Sequence, residues 1–159
     1  MNPYILAALT VLTLAPSVPS LAASDTHDHG HGSVSATLQL NAGKKWETDA
    51  PLRMAMGEIR QSMASALHAI HENKMSAKAY DGLAKKVEGE VGNIVATCKL
   101  PPSADAQLHI IVGDLLAGAE EMAGKVKQAK RVDGAVKVIG ALDSYGKYFD
   151  DAVFRPIKH

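Results

Sequence analysis

The chain of 159 residues has one cysteine, Cys98, so it cannot form a disulfide within itself. Its thiol is left for burial, metal binding or an intermolecular bond. Aromatic residues make up only 4%, so any core must be aliphatic. Charge of either sign is not in excess: Lys+Arg and Asp+Glu both count 17. That balance excludes the basic footprint a nucleic-acid protein needs, and gives no polybasic hold on anionic lipid. No GxSxG, HExxH, Walker loop or dinucleotide fingerprint is present, and no Glu-x-x-His pair of the di-iron bundles. An enzyme is therefore not expected. A thiol and base made of Cys98 and His109 does not rescue one, because a thiol on an apolar stripe has its pKa raised.

Hydrophobic residues reach 47% and charged residues 21%, a composition that folds, and the length suits one domain. Residues 1–23 read as an export signal. Tyr4 to Ala15 is an apolar run, Pro16 and Pro19 break it, and Ser20-Leu21-Ala22-Ala23 offers small residues for cleavage. No Lys or Arg precedes the run, which is too short to span a bilayer, and no later segment would cross one after cleavage. In a diderm bacterium the destination is the periplasm.

Residues 24–47 read as a flexible His-rich tail, SDTHDHGHG, followed by an extended lead-in. In the lead-in Val34, Ala36, Leu38 and Leu40 alternate, so one face should lie on the fold. Residues 48–155 carry four helical patterns, and 156–159 form a C-terminal tail. The first helix is expected over 48–73, capped by Asp49 with Pro51 in its first turn. Leu52, Met56, Ile59, Met63, Leu67 and Ile70 recur at steps of three and four. The second, over 76–97 with Ser76 as cap, buries Tyr80, Leu83, Val87, Val91, Ile94 and Cys98, and Pro101-Pro102 stop it. The third, over 104–129 with Ser103 as cap, turns Leu108, Ile111, Val112, Leu115, Ala119, Met122 and Val126 inward. The fourth, over 134–153 with Asp133 as cap, buries Ala135, Val138, Leu142, Tyr145, Phe149 and Val153. Short connections make neighbouring helices antiparallel, which predicts an all-α, up-down-up-down four-helix bundle. Several glycines lie inside these helices, Gly82, Gly113, Gly118 and Gly140 among them. Some should permit close helix approach, and the sequence does not say which.

That topology gathers Met54, Met56, Cys98, His109 and Tyr145 at one end. Thioether, thiolate and imidazole suit Cu(I), so Met56, Cys98 and His109 are the candidate copper ligands. The plain alternative is that Met56 and Cys98 are ordinary core and His109 a surface histidine. His68 and His71 are neighbours on the solvent face, beside Glu72 and Met75, where a histidine pair can grip a divalent metal. His27, His29 and His31 alternate in the tail as loose Zn, Cu or Ni collectors. If cleavage follows Ser24, the new terminus Asp25-Thr26-His27 makes a square-planar Cu(II)/Ni(II) site.

Leu100-Pro101-Pro102, the run 108–116 (LHIIVGDLL) and Ser144-Tyr145-Gly146-Lys147-Tyr148 resemble the soluble periplasmic b-type cytochrome of the four-helix-bundle class. That resemblance implies a haem held by a methionine early in the first helix, here Met54 or Met56, and a histidine late in the fourth. Gly146 stands at the histidine's place and has no side chain to ligate, so haem is not expected. A closer resemblance covers most of the chain. LQLNAGKKWETDAPLRMAM, IVATCKLPPSADAQLH, DGAVKVIGALDSYGKYFD and FRPIKH are similar to small exported proteobacterial proteins labelled DnrO-like, which implies the fold and compartment rather than an activity. Three readings follow: a periplasmic protein that buffers or delivers copper, a haem-binding electron carrier, and a metal-free interaction or stress protein with a periplasmic partner.

Overall fold

A computed structural model describes residues 37–158. The signal segment, the tail with His27, His29 and His31, and Val34 and Ala36 of the lead-in lie outside the described residues. Four helices make up the rest: α1 Ala50–His71, α2 Ala77–Thr97, α3 Pro102–Met122 and α4 Arg131–Tyr148. Consecutive helices pack on one another and α1 meets α4, so the four close a ring around one hydrophobic core, mostly aliphatic with Tyr80, Tyr145, Phe149 and Phe154 as its aromatic members. Among the described residues there are no strands, only isolated bridges, and no helix long and apolar enough to cross a membrane.

The expected stripes form this core. Leu52, Met56, Ile59, Met63, Val87, Ile111, Leu115, Met122, Val138 and Leu142 are fully buried. Two caps stand where the sequence places them. The Asp49 carboxylate accepts from Leu52 N–H at 2.9 Å, and Ser76 Oγ accepts from Ala79 N–H at 3.2 Å. Each closes one of the donors that a helix start leaves open.

The ends of α3 and α4 depart from expectation. α3 begins at Pro102, not after a Ser103 cap, because a proline at the first helical position needs no N–H and has its φ preset. It stops at Met122, seven residues before Ala129. There Gly124 takes φ +70°, its N–H bonds Glu121 O at 2.9 Å, and Lys125 N–H bonds Glu120 O at 3.0 Å. This is a Schellman stop, and only glycine takes that backbone without strain. Val126, expected inward, lies beyond the stop and is exposed.

α4 begins at Arg131, with Asp133 inside its first turn, where its carboxylate accepts from Lys130 N–H at 3.3 Å. Arg131 donates to the Asp81 carboxylate on α2 and to Met122 O at the end of α3, tying three helices at that end. α4 ends at Tyr148 because the lead-in takes over its last carbonyls. Trp46 N–H bonds Tyr148 O at 2.8 Å, Lys45 Nζ bonds Gly146 O at 2.6 Å, and Asp150 N–H returns to Trp46 O at 2.8 Å. Val153, expected inward, is therefore exposed, and Phe154 and Ile157 are buried instead. Of the lead-in's alternating residues, Leu38 packs on the core and Leu40 is exposed.

α3 and α4 approach most closely at Gly118 and Gly134. A Cβ at Gly118 would sit 2.7 Å from Gly134 O, and one at Gly134 would sit 2.5 Å from Gly118 O. A Cβ at Gly82 would meet nothing within 4 Å. Gly118→Ala should therefore cost about 1–3 kcal/mol by overpacking against backbone. Gly82→Ala should raise stability by up to about 1 kcal/mol through helix propensity. Urea unfolding of the two variants beside the parent measures both, and equal effects of the same sign would contradict the close approach.

Candidate functional site

The C-terminus of α2 and the first turns of α3 meet across the Pro101-Pro102 corner. A cleft of about 210 Å³ lies there, with Cys98, Asp105 and His109 among its walls and Ile94, Leu108 and Val112 as its apolar part. Cys98 is the half-buried residue at which α2 ends, its N–H bonded to Ile94 O at 2.9 Å. Its thiol donates to Asp49 Oδ1 at 3.4 Å, and the other oxygen of Asp49 accepts from Lys99 N–H at 2.6 Å.

Electrostatics keep this thiol protonated. Its pKa is pushed up from 9.0 to about 12, by burial first, then by the hydrogen bond and negative charge of Asp49, then by the charge of Asp105. Burial also works against the Asp49 carboxylate. The hydrogen bonds from Lys99, Leu52 and Cys98, with the charge of Arg53, outweigh it and hold that pKa below the usual value.

His109 is exposed. Its Nδ1 lies 2.8 Å from Asp105 O and 3.3 Å from the Asp105 carboxylate, one helical turn back. A carbonyl oxygen can only accept, so Nδ1 carries a hydrogen, and the tautomer this contact selects has its lone pair at Nε2. A backbone carbonyl orients metal-ligating histidines in the same way.

The other expected ligands are elsewhere. Met56 is fully buried in the core and does not line the cleft. Met54 is 70% exposed, in a separate groove between α1 and α2 with Glu90 and Asn93. His68 is exposed and pairs with Glu72 at 3.3 Å, and Glu72 also holds Lys74 at 2.9 Å. His71 lines a groove against α4 without His68. Among the described residues, no three His, Cys, Asp or Glu side chains gather where one metal ion could bind them all.

Tyr145 is fully buried and donates to Asp151 Oδ2 at 3.0 Å. Its ring stacks on Phe149 and meets Phe154 edge-on. Phe154 also covers Gly146, where an added Cβ would lie 3.3 Å from its ring.

Sequence reasoning passed over Asp105 as a site residue and took Asp49 only for a cap. The i, i+4 spacing of Asp105 and His109 was the available signal for the first. Nothing local marks the second, because Asp49 and Cys98 meet only through the fold. No family model, curated protein or solved structure matches this chain.

A thiol with a pKa near 12 is a poor nucleophile at neutral pH. Alkylation of Cys98 by iodoacetamide should be slow at pH 8 and still accelerating at pH 10. Asp49→Asn keeps a capping side chain but removes the charge, so the thiol pKa should fall and the rate at pH 8 should rise. A rate that levels off by pH 9 in the parent protein would contradict the raised pKa, and an unchanged rate in Asp49→Asn would contradict the part of Asp49 in it.

Proposed function

We infer that this chain is an exported, non-enzymatic periplasmic protein that binds Cu(I) through Cys98 and His109, for buffering or delivery. The single observation that carries this reading is that a thiol and an oriented imidazole share one cleft. Sulfur is the soft donor Cu(I) prefers, and a sulfur–nitrogen pair is enough for its low coordination numbers. Met56 takes no part in this site, since it does not line the cleft. The tail histidines His27, His29 and His31 serve separately, as loose collectors of Cu(II) or Ni(II). His68 and His71 stay apart from the copper site, since His68 is occupied by Glu72.

Haem is not part of this reading. The position where the cytochrome-like pattern wants a histidine is Gly146, and the ring of Phe154 covers it. A second reading, a metal-free interaction protein, draws support from two apolar side chains left in solvent near the same end. Met54 is 70% exposed and Val95 72%.

Competition against a Cu(I) chelator under reducing conditions tests the site. Cys98→Ser should lose most of the affinity, His109→Ala less, and Met56→Leu almost none. Removing residues 25–32 should weaken Cu(II) or Ni(II) uptake and leave Cu(I) binding in place. Binding must displace the thiol proton, whose pKa of about 12 lies above the working range. Affinity should therefore rise with pH, by about tenfold per unit. Equal Cu(I) affinity for the parent and Cys98→Ser would end the copper reading and leave the metal-free one.

A further inference from the structure

The seam between α1 and α4 is the thinnest interface of the ring, and no loop joins those two helices. The C-terminal segment covers part of it. Arg60 donates to Arg155 O, and Phe154 and Ile157 are buried, with Phe154 over Gly146. These contacts fall on the first half of α1 and the last turn of α4.

Farther along the seam a groove of about 370 Å³ stays open. Ile70 and His71, from the last turn of α1, form one wall. Val132, Val136, Ile139 and Gly140 of α4 form the floor, on one face by their three- and four-residue steps. Val136 is 61% exposed, and a Cβ added at Gly140 would meet nothing within 4 Å.

Asp143 lines the groove one turn beyond Gly140. It is half-buried, and its Oδ1 has neither solvent access nor a hydrogen-bond partner. Among the described residues no cation pairs with it. Lys147, one turn on, lies instead over the Tyr148 ring, 5.2 Å from its centroid. Asp143 places an unpaired carboxylate at the end of an apolar groove, where a cation gains an opposite charge beside a low-dielectric wall. A hard cation such as Ca²⁺ or Mg²⁺ needs several oxygen ligands, and the groove supplies one carboxylate, beside the His71 imidazole, on an aliphatic floor.

We propose that this groove binds a small aliphatic ammonium, its hydrocarbon chain on Val132, Val136 and Ile139 and its charged head at Asp143. The volume lies within the range of small-molecule sites. None of these residues belongs to the Cys98 cleft, so the assignment stands or falls apart from copper.

The test uses the full chain and n-hexylammonium, followed by backbone amide shifts. Hexanol and hexanoate are the neutral and anionic controls of equal length. Hexylammonium should give saturable shifts at Ile139 and Gly140, with hexanol about tenfold weaker and hexanoate without effect. Asp143→Asn should bring hexylammonium down to the level of hexanol. Gly140→Leu fills the groove and should abolish binding of all three. Val136→Lys, at a solvent-exposed position, sets a like charge at the mouth and serves the same purpose if Gly140→Leu does not fold. The proposal is overturned if hexylammonium gives no shifts at millimolar concentration. It is equally overturned if the three ligands bind alike, or if Asp143→Asn and Val136→Lys bind as the parent does.

Discussion

One carboxylate, Asp49, holds together the end of the molecule where the candidate site lies. It closes the start of α1 through Leu52 N–H, fixes the α2–α3 corner through Lys99 N–H, and accepts a hydrogen bond from the Cys98 thiol. Burial opposes its charge, and the donors around it outweigh that penalty. The same charge that caps a helix also keeps the neighbouring thiol neutral. Fold and site chemistry are therefore coupled through a single group. Burial and this carboxylate together keep the proton on sulfur, which makes the thiol quiet toward electrophiles; on the copper reading, Cu(I) would have to displace that proton.

Packing around the ring is uneven, and the unevenness has identifiable causes. Gly118 and Gly134 let the backbones of α3 and α4 come into direct contact, so those two helices form the firmest pair. α1 and α4, without a loop between them, rely on the C-terminal segment to cover their seam. The aromatic side chains are few, and three of them, Tyr145, Phe149 and Phe154, are spent together where that segment crosses α4. The cluster occupies the space beside Gly146. The open groove with Asp143 lies where this cover ends.

The copper reading and the interaction reading differ in what they ask of the same end of the bundle. Copper needs Cys98 and His109 to act together, and they come from different helices brought side by side by the Pro101-Pro102 corner. Docking of another protein needs the exposed Met54 and Val95, which flank that corner without entering each other's groove. The thiol tells the two apart, since only the first reading uses Cys98.

The helix count, the inward stripes of α1 and α2, and the caps Asp49 and Ser76 could be read from the sequence. Each depends on residues within a turn or two of one another, where the 3.6-residue period and the preference of Ser and Asp for helix starts act locally. The ends of α3 and α4 were legible only in part. Gly124 is a local stop signal, but it competes with an apolar pattern that continues to Val126. The end of α4 depends on Trp46 and Lys45, a hundred residues earlier, taking over its carbonyls, and no local pattern reports that. The candidate site divides in the same way. Topology alone brought Cys98 and His109 to one end. Whether Met56 pointed into the cleft or the core, and which acid governed the thiol, was decided by packing between helices. Side-chain direction and long-range hydrogen bonds exist only once the chain has closed on itself.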